Sequence, residues 1–434
     1  MQLNKKNKSI KKKVSYVLFT LIFGVIVLFI LNNKYGGPYK AGAYPDRILL
    51  SWIEEPSQSM SVTWRCQIGS PDGKVQYTHL SQGPDLEKYA QETMANQQTL
   101  ITGFGIENYY AANMTGLQQE TTYAYRVGNG NFWSEWNYFK TASPKNKPFS
   151  FIFMGDVQYG IRSSWSRVVR KAYSENPNAA FILYVGDIVR RSKAKYWGEW
   201  FDALGFIHKM MPCFATPGNH EYRKGKICKH WRKIFDFPKN GPQGYEDLAY
   251  YFDYQGARFI FLDSNVINDS QTSWLEQVLK TIDQQWTIVA FHHPLYFVSK
   301  SGDPHQKRNI WLPIFEKYNV DLILLGHDHT YIRSKLIRTM IGQPRSIATN
   351  ENSGIVYIVS VAGAKMYPPI VNSELMERVA GNTQLYQVIS INGNRLNYEA
   401  KTADGALYDA FTLDKLANGN KKLTNKIPAI TERK

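Results

Sequence analysis

Five short apolar runs, each stopping abruptly at a polar cluster rich in glycine, aspartate or histidine, constrain this chain more than any other feature. They occupy residues 149–154, 180–185, 212–215, 286–291 and 320–325, with helix-like stretches near 165–173, 197–209, 272–282 and 309–318. Runs that are apolar throughout fit strands buried on both faces, and their alternation with helices implies a layered α/β body. Chemically active groups in such sheets collect just beyond the strand ends. There the sequence reads Gly155-Asp156-Val157-Gln158, Gly186-Asp187, Gly218-Asn219-His220-Glu221, His292-His293-Pro294 and Gly326-His327-Asp328-His329. Glycine before such a residue lets the backbone turn sharply. Carboxylate, imidazole and amide donors together make the mixed set that suits Mn, Fe or Zn. Any one cluster reads equally well as a turn. All five in order, holding five of the nine histidines, specify a dinuclear metal site.

The segment before this body has a different rhythm. Short β-like runs at 48–52, 59–64, 75–77, 111–114, 121–127 and 136–139, with turns between them and no long helix, predict a β-sandwich. Residues 116–128 resemble the late strands of fibronectin type III modules, and the polar stretch 143–148 closes the unit. Farther upstream, residues 14–31 are 18 residues without a charge, preceded by six lysines. That is long enough to cross a bilayer core, with the lysines kept on the cytoplasmic side. The expected product is a single-pass anchor with an exported body. The alternative is a secreted protein after cleavage near Ala41-Gly42-Ala43. The expected domains are therefore a basic end with signal anchor (1–44), a sandwich (45–143), the α/β body (148–413) and a basic tail (414–434) that stands in solvent.

Charge excludes one class of partner. The formal net charge of +16 is concentrated at the two termini, leaving about +6 over the body, so no nucleic-acid partner is expected. Three scattered cysteines, Cys66, Cys213 and Cys228, make neither a disulfide scaffold nor a zinc ribbon and read as small buried hydrophobes.

The ordered series Asp, Gly-Asp, Gly-Asn-His, His-x-Pro, Gly-His-x-His resembles the calcineurin-like metallophosphoesterases. With the fibronectin-like unit in front, the chain resembles the purple acid phosphatases from residue 45 to about residue 413. The resemblance implies a four-layer α/β/β/α domain behind an all-β sandwich, and two divalent or trivalent metal ions (Fe, Mn or Zn). Asp156 and His329 would bind the first ion, Asn219, His292 and His327 the second, and Asp187 both. It further implies hydrolysis of phosphate monoesters on small molecules by a metal-bridging hydroxide, with His220 assisting the leaving group. Two residues depart from the family pattern. Arg190 stands where purple acid phosphatases carry their colour-giving tyrosine, and Gln158 where other members carry a histidine. Gln158 is then a candidate amide ligand, and a colourless enzyme using divalent metals is expected. Arg190, Arg191 and His305 are candidate phosphate contacts, while Asp263 and His293 read as supporting groups. A phosphodiesterase with the same metals, and an exported binding or adhesion protein with an inert body, are the competing functions.

Overall fold

A computed structural model of the chain describes residues 38–69, 72–81, 83–296, 305–339, 347–349, 352–369 and 374–433. The apolar run 14–31 lies outside these. Among the described residues no helix is long and apolar enough to cross a membrane.

The first unit is a sandwich of a four-stranded and a five-stranded sheet. Its strand Met60–Gln67 shows how sequence alternation is used twice. Met60, Val62, Trp64 and Cys66 point into the sandwich core. Ser61, Thr63 and Arg65 point outward, yet they too are buried. That outer face packs on the second unit. Ser61 Oγ donates to Asp236 Oδ2 at 2.9 Å and Thr63 Oγ1 to the Ile234 carbonyl at 2.7 Å. Trp52 completes the junction by stacking on Tyr254 at 5.0 Å, and one continuous apolar cluster runs through both units. The strand Asn96–Thr102 carries little apolar signal because it is a largely exposed edge.

The second unit holds two seven-stranded sheets packed face to face. One runs, in spatial order, Cys213–Thr216, Ile182–Val185, Phe149–Met154, Leu385–Asn392, Arg395–Thr402, Leu407–Lys415, Lys421–Asn425. The other is centred on the parallel strands Ala257–Phe261, Trp286–Ala290, Leu322–Leu325 and Val356–Val359. Period-two alternation explains why these strands are apolar throughout. Phe259, Phe261, Ile288, Leu322 and Leu324 face the opposite sheet. Ile260, Leu262, Val289, Ile323 and Leu325 face the helices Asp269–Lys280 and His305–Lys317, meeting Leu275, Leu279, Trp311 and Phe315. Helices Ser166–Glu175 and Ala194–Leu204 lie by the first sheet, which gives the four-layer α/β/β/α order. The helix expected over 197–209 is two pieces, because Gly205 takes φ +61° and ends the first at Leu204.

The basic terminus is not free in solvent. Lys421–Asn425 pairs as an edge strand with Leu407–Lys415. Lys421 is 4% exposed and its ammonium lies 2.8 Å from the buried Asp321, which Lys415 also meets at 2.7 Å. A buried carboxylate at the start of strand Leu322–Leu325 needs cations, and the tail supplies them. The three cysteines are buried and unpaired, as expected.

Candidate metal centre

Each expected donor stands two to four residues beyond the end of a strand of these two sheets. Asp156, Asp187 and Asn219 follow three strands that run parallel side by side in one sheet. His292, His327 and His329 follow two adjacent parallel strands of the other. Neighbouring parallel strands end at the same level, so their loops converge at one rim where the two sheets meet. Asp156, Asp187, His327 and His329 all adopt left-handed backbone, with φ of 52°, 49°, 72° and 52°. Each such residue costs on the order of 1–3 kcal/mol, a strain that persists only where surrounding structure enforces it. Gly186 and Gly218 show that enforcement. A Cβ on Gly186 would strike the Gly218 backbone and the His292 ring, and one on Gly218 would strike Asp187.

The imidazoles are oriented from behind. His292 Nδ1 donates to the Val185 carbonyl at 2.7 Å, bridging the two sheets and turning Nε2 toward the cluster. His329 Nδ1 donates to the Lys365 carbonyl at 2.9 Å, with the same effect. The His292 Nε2 atom then lies 3.1 Å from Asn219 Oδ1, 3.2 Å from His327 Nδ1 and 3.4 Å from Asp187 Oδ1. Asp156, Asp187 and His292 each bring a donor atom within 4.8 Å of the others, and so do His292, His293 and His327. His293, expected to be a supporting group, therefore sits at the cluster's edge, with Nδ1 2.8 Å from Ser264 Oγ. Asp263 is a framework group that accepts from Asn265 and Tyr222.

Electrostatics test whether cations fit. Burial opposes charge on Asp187 and His292 alike, but their mutual attraction prevails. His292 is pushed up to about 9, and Asp187 is held well below the usual carboxylate range. Asp156 goes the other way, raised by burial and by the like charge of Asp187. Its Oδ1 is buried with no hydrogen-bond partner among the described residues, as is Gln158 Oε1. Burial and then the Lys365 ammonium push His329 down to about 4, which keeps its ring neutral and Nε2 free to coordinate. Two buried carboxylates, unsatisfied oxygens and ring nitrogens aimed at one space are a donor set that favours positive charge, as the raised His292 shows. Metal ions fit it.

Around the cluster the other expected residues take distinct places. Gln158 Nε2 donates to Asp187 Oδ2 at 2.7 Å and lies 3.2 Å from His329 Nε2. His220 is held by Nδ1 on the Arg190 carbonyl at 2.5 Å, with Nε2 3.8 Å from Asp187 Oδ2. Arg190 and Arg191 are both exposed, and the Arg190 guanidinium covers the Tyr159 ring at 4.8 Å. His305 opens the helix His305–Lys317 rather than lying within a loop, and its side chain is outside the described residues.

One positioning residue escaped the sequence reading. Glu221 is fully buried and accepts from the backbone amides of Asp187 at 2.9 Å, Val189 at 3.1 Å and Gly218 at 2.8 Å. It ties the loop of Asp187 to that of Asn219. Burial, then the Asp187 charge, raises it to about 7. Its only sequence signal was adjacency to Gly218-Asn219-His220.

Comparison with known proteins agrees with this geometry. Residues 129–331 match the calcineurin-like phosphoesterase family, and residues 45–141 match the purple acid phosphatase N-terminal domain. The chain carries a calcineurin-like metallophosphoesterase domain behind a purple acid phosphatase N-terminal domain. A probable purple acid phosphatase 20 of Arabidopsis thaliana is 28% identical over 315 residues, spanning 67% of this chain and 66% of its own length. The Fe(3+)-Zn(2+) purple acid phosphatase 12 of the same plant is 26% identical over 275 residues, spanning 58% and 56%. The chain thus matches less than two thirds of these relatives' length. Purple acid phosphatase PPD1 from yellow lupin (Lupinus luteus) seeds shares the fold. Its TM-score is 0.72 at 18% identity, over 87% of this chain and 75% of that one. At position 190 this chain places an exposed arginine, and at position 158 a buried amide.

Proposed function

We propose that the chain is a dinuclear metal-dependent phosphatase that hydrolyses phosphate monoesters of small molecules. The observation that carries this reading is the convergence of Asp156, Asp187, Asn219, His292, His327 and His329 on one space, with two ring nitrogens aimed by backbone carbonyls. Asp156, Gln158 and His329 would hold one ion and Asn219, His292 and His327 the other, with Asp187 shared between them. When bound, such a pair supplies Lewis acidity to phosphate oxygens and acidifies a water.

The chain's own groups do the rest. Because His220 Nδ1 donates to the Arg190 carbonyl, Nε2 is the ring nitrogen left to hold the second proton of the imidazolium on the pocket side. That proton goes to the leaving alkoxide, which departs as the alcohol. Glu221 fixes the two loops that present Asp187 and Asn219. The Arg190 guanidinium, which rests on Tyr159, would meet non-reacting phosphate oxygens.

The test is hydrolysis of p-nitrophenyl phosphate and of bis-p-nitrophenyl phosphate by chelator-stripped protein reloaded with Mn, Zn or Fe. Metal-dependent cleavage of the monoester, with the diester slower, is the expected result. A preference for the diester would make the chain a phosphodiesterase. No cleavage with any metal would leave an exported binding protein. The 18-residue apolar run and the lysines before it support an anchored, exported body. Release of the protein from membranes by alkaline carbonate would refute that placement.

A further inference from the structure

A cavity of about 600 Å³ opens between residues 100–104 of the sandwich (the end of strand Asn96–Thr102 and the turn after it) and two segments that continue directly from the metal centre. One segment, 192–195, begins five residues after Asp187. The other, 223–230, begins three residues after His220. Hydrogen bonds join the cavity wall to the His220 turn. Ser192 Oγ donates to the carbonyls of His220 and Glu221, both at 3.1 Å, and the Cys228 amide donates to Glu221 at 2.8 Å.

The lining is one-sided in charge. Lys193, Lys195, Arg223, Lys226 and Lys229 contribute to it, and no aspartate or glutamate does. Only Lys195 meets an acid, Glu199, at 3.8 Å along its own helix. The other four form no ion pair among the described residues. His230 adds an imidazole that is 7% exposed and lines the cavity, with Nε2 buried and without a hydrogen-bond partner among the described residues. The five cations are solvent-exposed, and like charges on one concave wall build a local potential that attracts anions. A buried imidazole nitrogen left unsatisfied costs stability. Both features are met by the same kind of occupant, a compact polyanion with several acceptor oxygens. A volume of this size admits a molecule of several phosphate groups.

We propose that this cavity is an oligophosphate subsite, which binds further phosphate groups carried on the leaving-group side of the substrate. Its position beside His220 assigns it to that side, a placement that rests on the phosphatase reading above. The substrate class is then a polyphosphorylated alcohol or a short polyphosphate chain rather than a simple monoester. The cations act as charge-assisted donors to the remote phosphates, and binding energy gained there holds the reacting phosphate over the metal centre.

The experiment compares the full-length, metal-loaded chain with the double variant Lys226→Ala/Lys229→Ala, neither residue being part of the metal centre. Calorimetric titration with tripolyphosphate is expected to show affinity at least tenfold weaker in the variant, with thermal melting unchanged. In hydrolysis, KM for tripolyphosphate should rise about tenfold at unchanged kcat, while KM and kcat for p-nitrophenyl phosphate stay put. Equal tripolyphosphate affinity in the two proteins overturns the subsite. A parallel rise in KM for p-nitrophenyl phosphate also overturns it, because the lysines would then act on the metal centre generally. If the unaltered chain cleaves neither compound with any metal, yet loses tripolyphosphate binding in the variant, the enzymatic reading fails and the subsite stands.

Discussion

His220 and Glu221 are adjacent in sequence and do opposite jobs. His220 turns a ring nitrogen toward the pocket from a perch on the Arg190 carbonyl, whereas Glu221 points inward and holds three backbone amides. Replacing His220 by Ala should leave metal content intact and lower kcat for alkyl phosphates about 10²–10⁴-fold, with a smaller loss for p-nitrophenyl phosphate. Elemental analysis beside steady-state kinetics checks this, and equal losses on both substrates would remove His220 from leaving-group protonation. Glu221→Ala should weaken metal binding about 10–100-fold, since outer groups that orient ligands are worth that much. A chelator competition titration reads it, and an unchanged metal affinity would make Glu221 a packing residue only. The residues that converge beyond the strand ends were legible in sequence because glycine and histidine there are unusual. Glu221 was not, since nothing in sequence tells which way a carboxylate beside a turn will point.

At the scale of elements, five strands of the second unit were found by their unbroken apolar runs, and two edge strands were missed for lack of them. Asn96–Thr102 was not among the expected strands. The chain's last stretch was expected in solvent because its lysines look like a charged tail. An edge strand buries little side chain and is held by the backbone ladder, so its composition carries little signal. Lys421 decides the case, since its ammonium is buried against Asp321 and the carbonyls of Val320 and Gly354. Lys421→Met should lower unfolding free energy by about 3 kcal/mol, because removing one partner leaves a buried carboxylate underpaired. Urea denaturation measures this. A change within about 0.5 kcal/mol, the usual size for a surface substitution, would mean that the tail is not held.

For the whole molecule, the two units act as one body, because the outer face of Met60–Gln67 and the ring of Trp52 are spent on the junction. Two buried histidines near it make stability depend on pH. His208 is fully buried, donating through Nδ1 to the Met211 carbonyl and accepting from Tyr184, and burial pushes it down to about 4. His230 is pushed down to about 3 by burial, then by Arg47 and Arg65. Both rings are lowered in the fold, so at neutral pH they are uncharged in the folded and the unfolded chain and add no pH dependence. Below about 6.5 the unfolded chain takes up protons that the fold refuses, and stability falls. The loss from His208 reaches on the order of 3 kcal/mol by pH 4. Thermal melting of metal-stripped protein from pH 7.5 to 4.5 should therefore fall, and more steeply than in His208→Gln. Parallel slopes would show that His208 does not set the dependence. The sequence by itself determined the α/β body, the sandwich and which strand-end loops carry the clustered polar groups, because burial on both strand faces and glycine-led loop chemistry are local patterns. Only the tertiary structure decided which ring nitrogen faces the cluster, what holds each loop, and that lysines from two segments and a strand end and turn of the sandwich enclose one cavity. Those are distances between residues far apart in the chain, and no local preference encodes them.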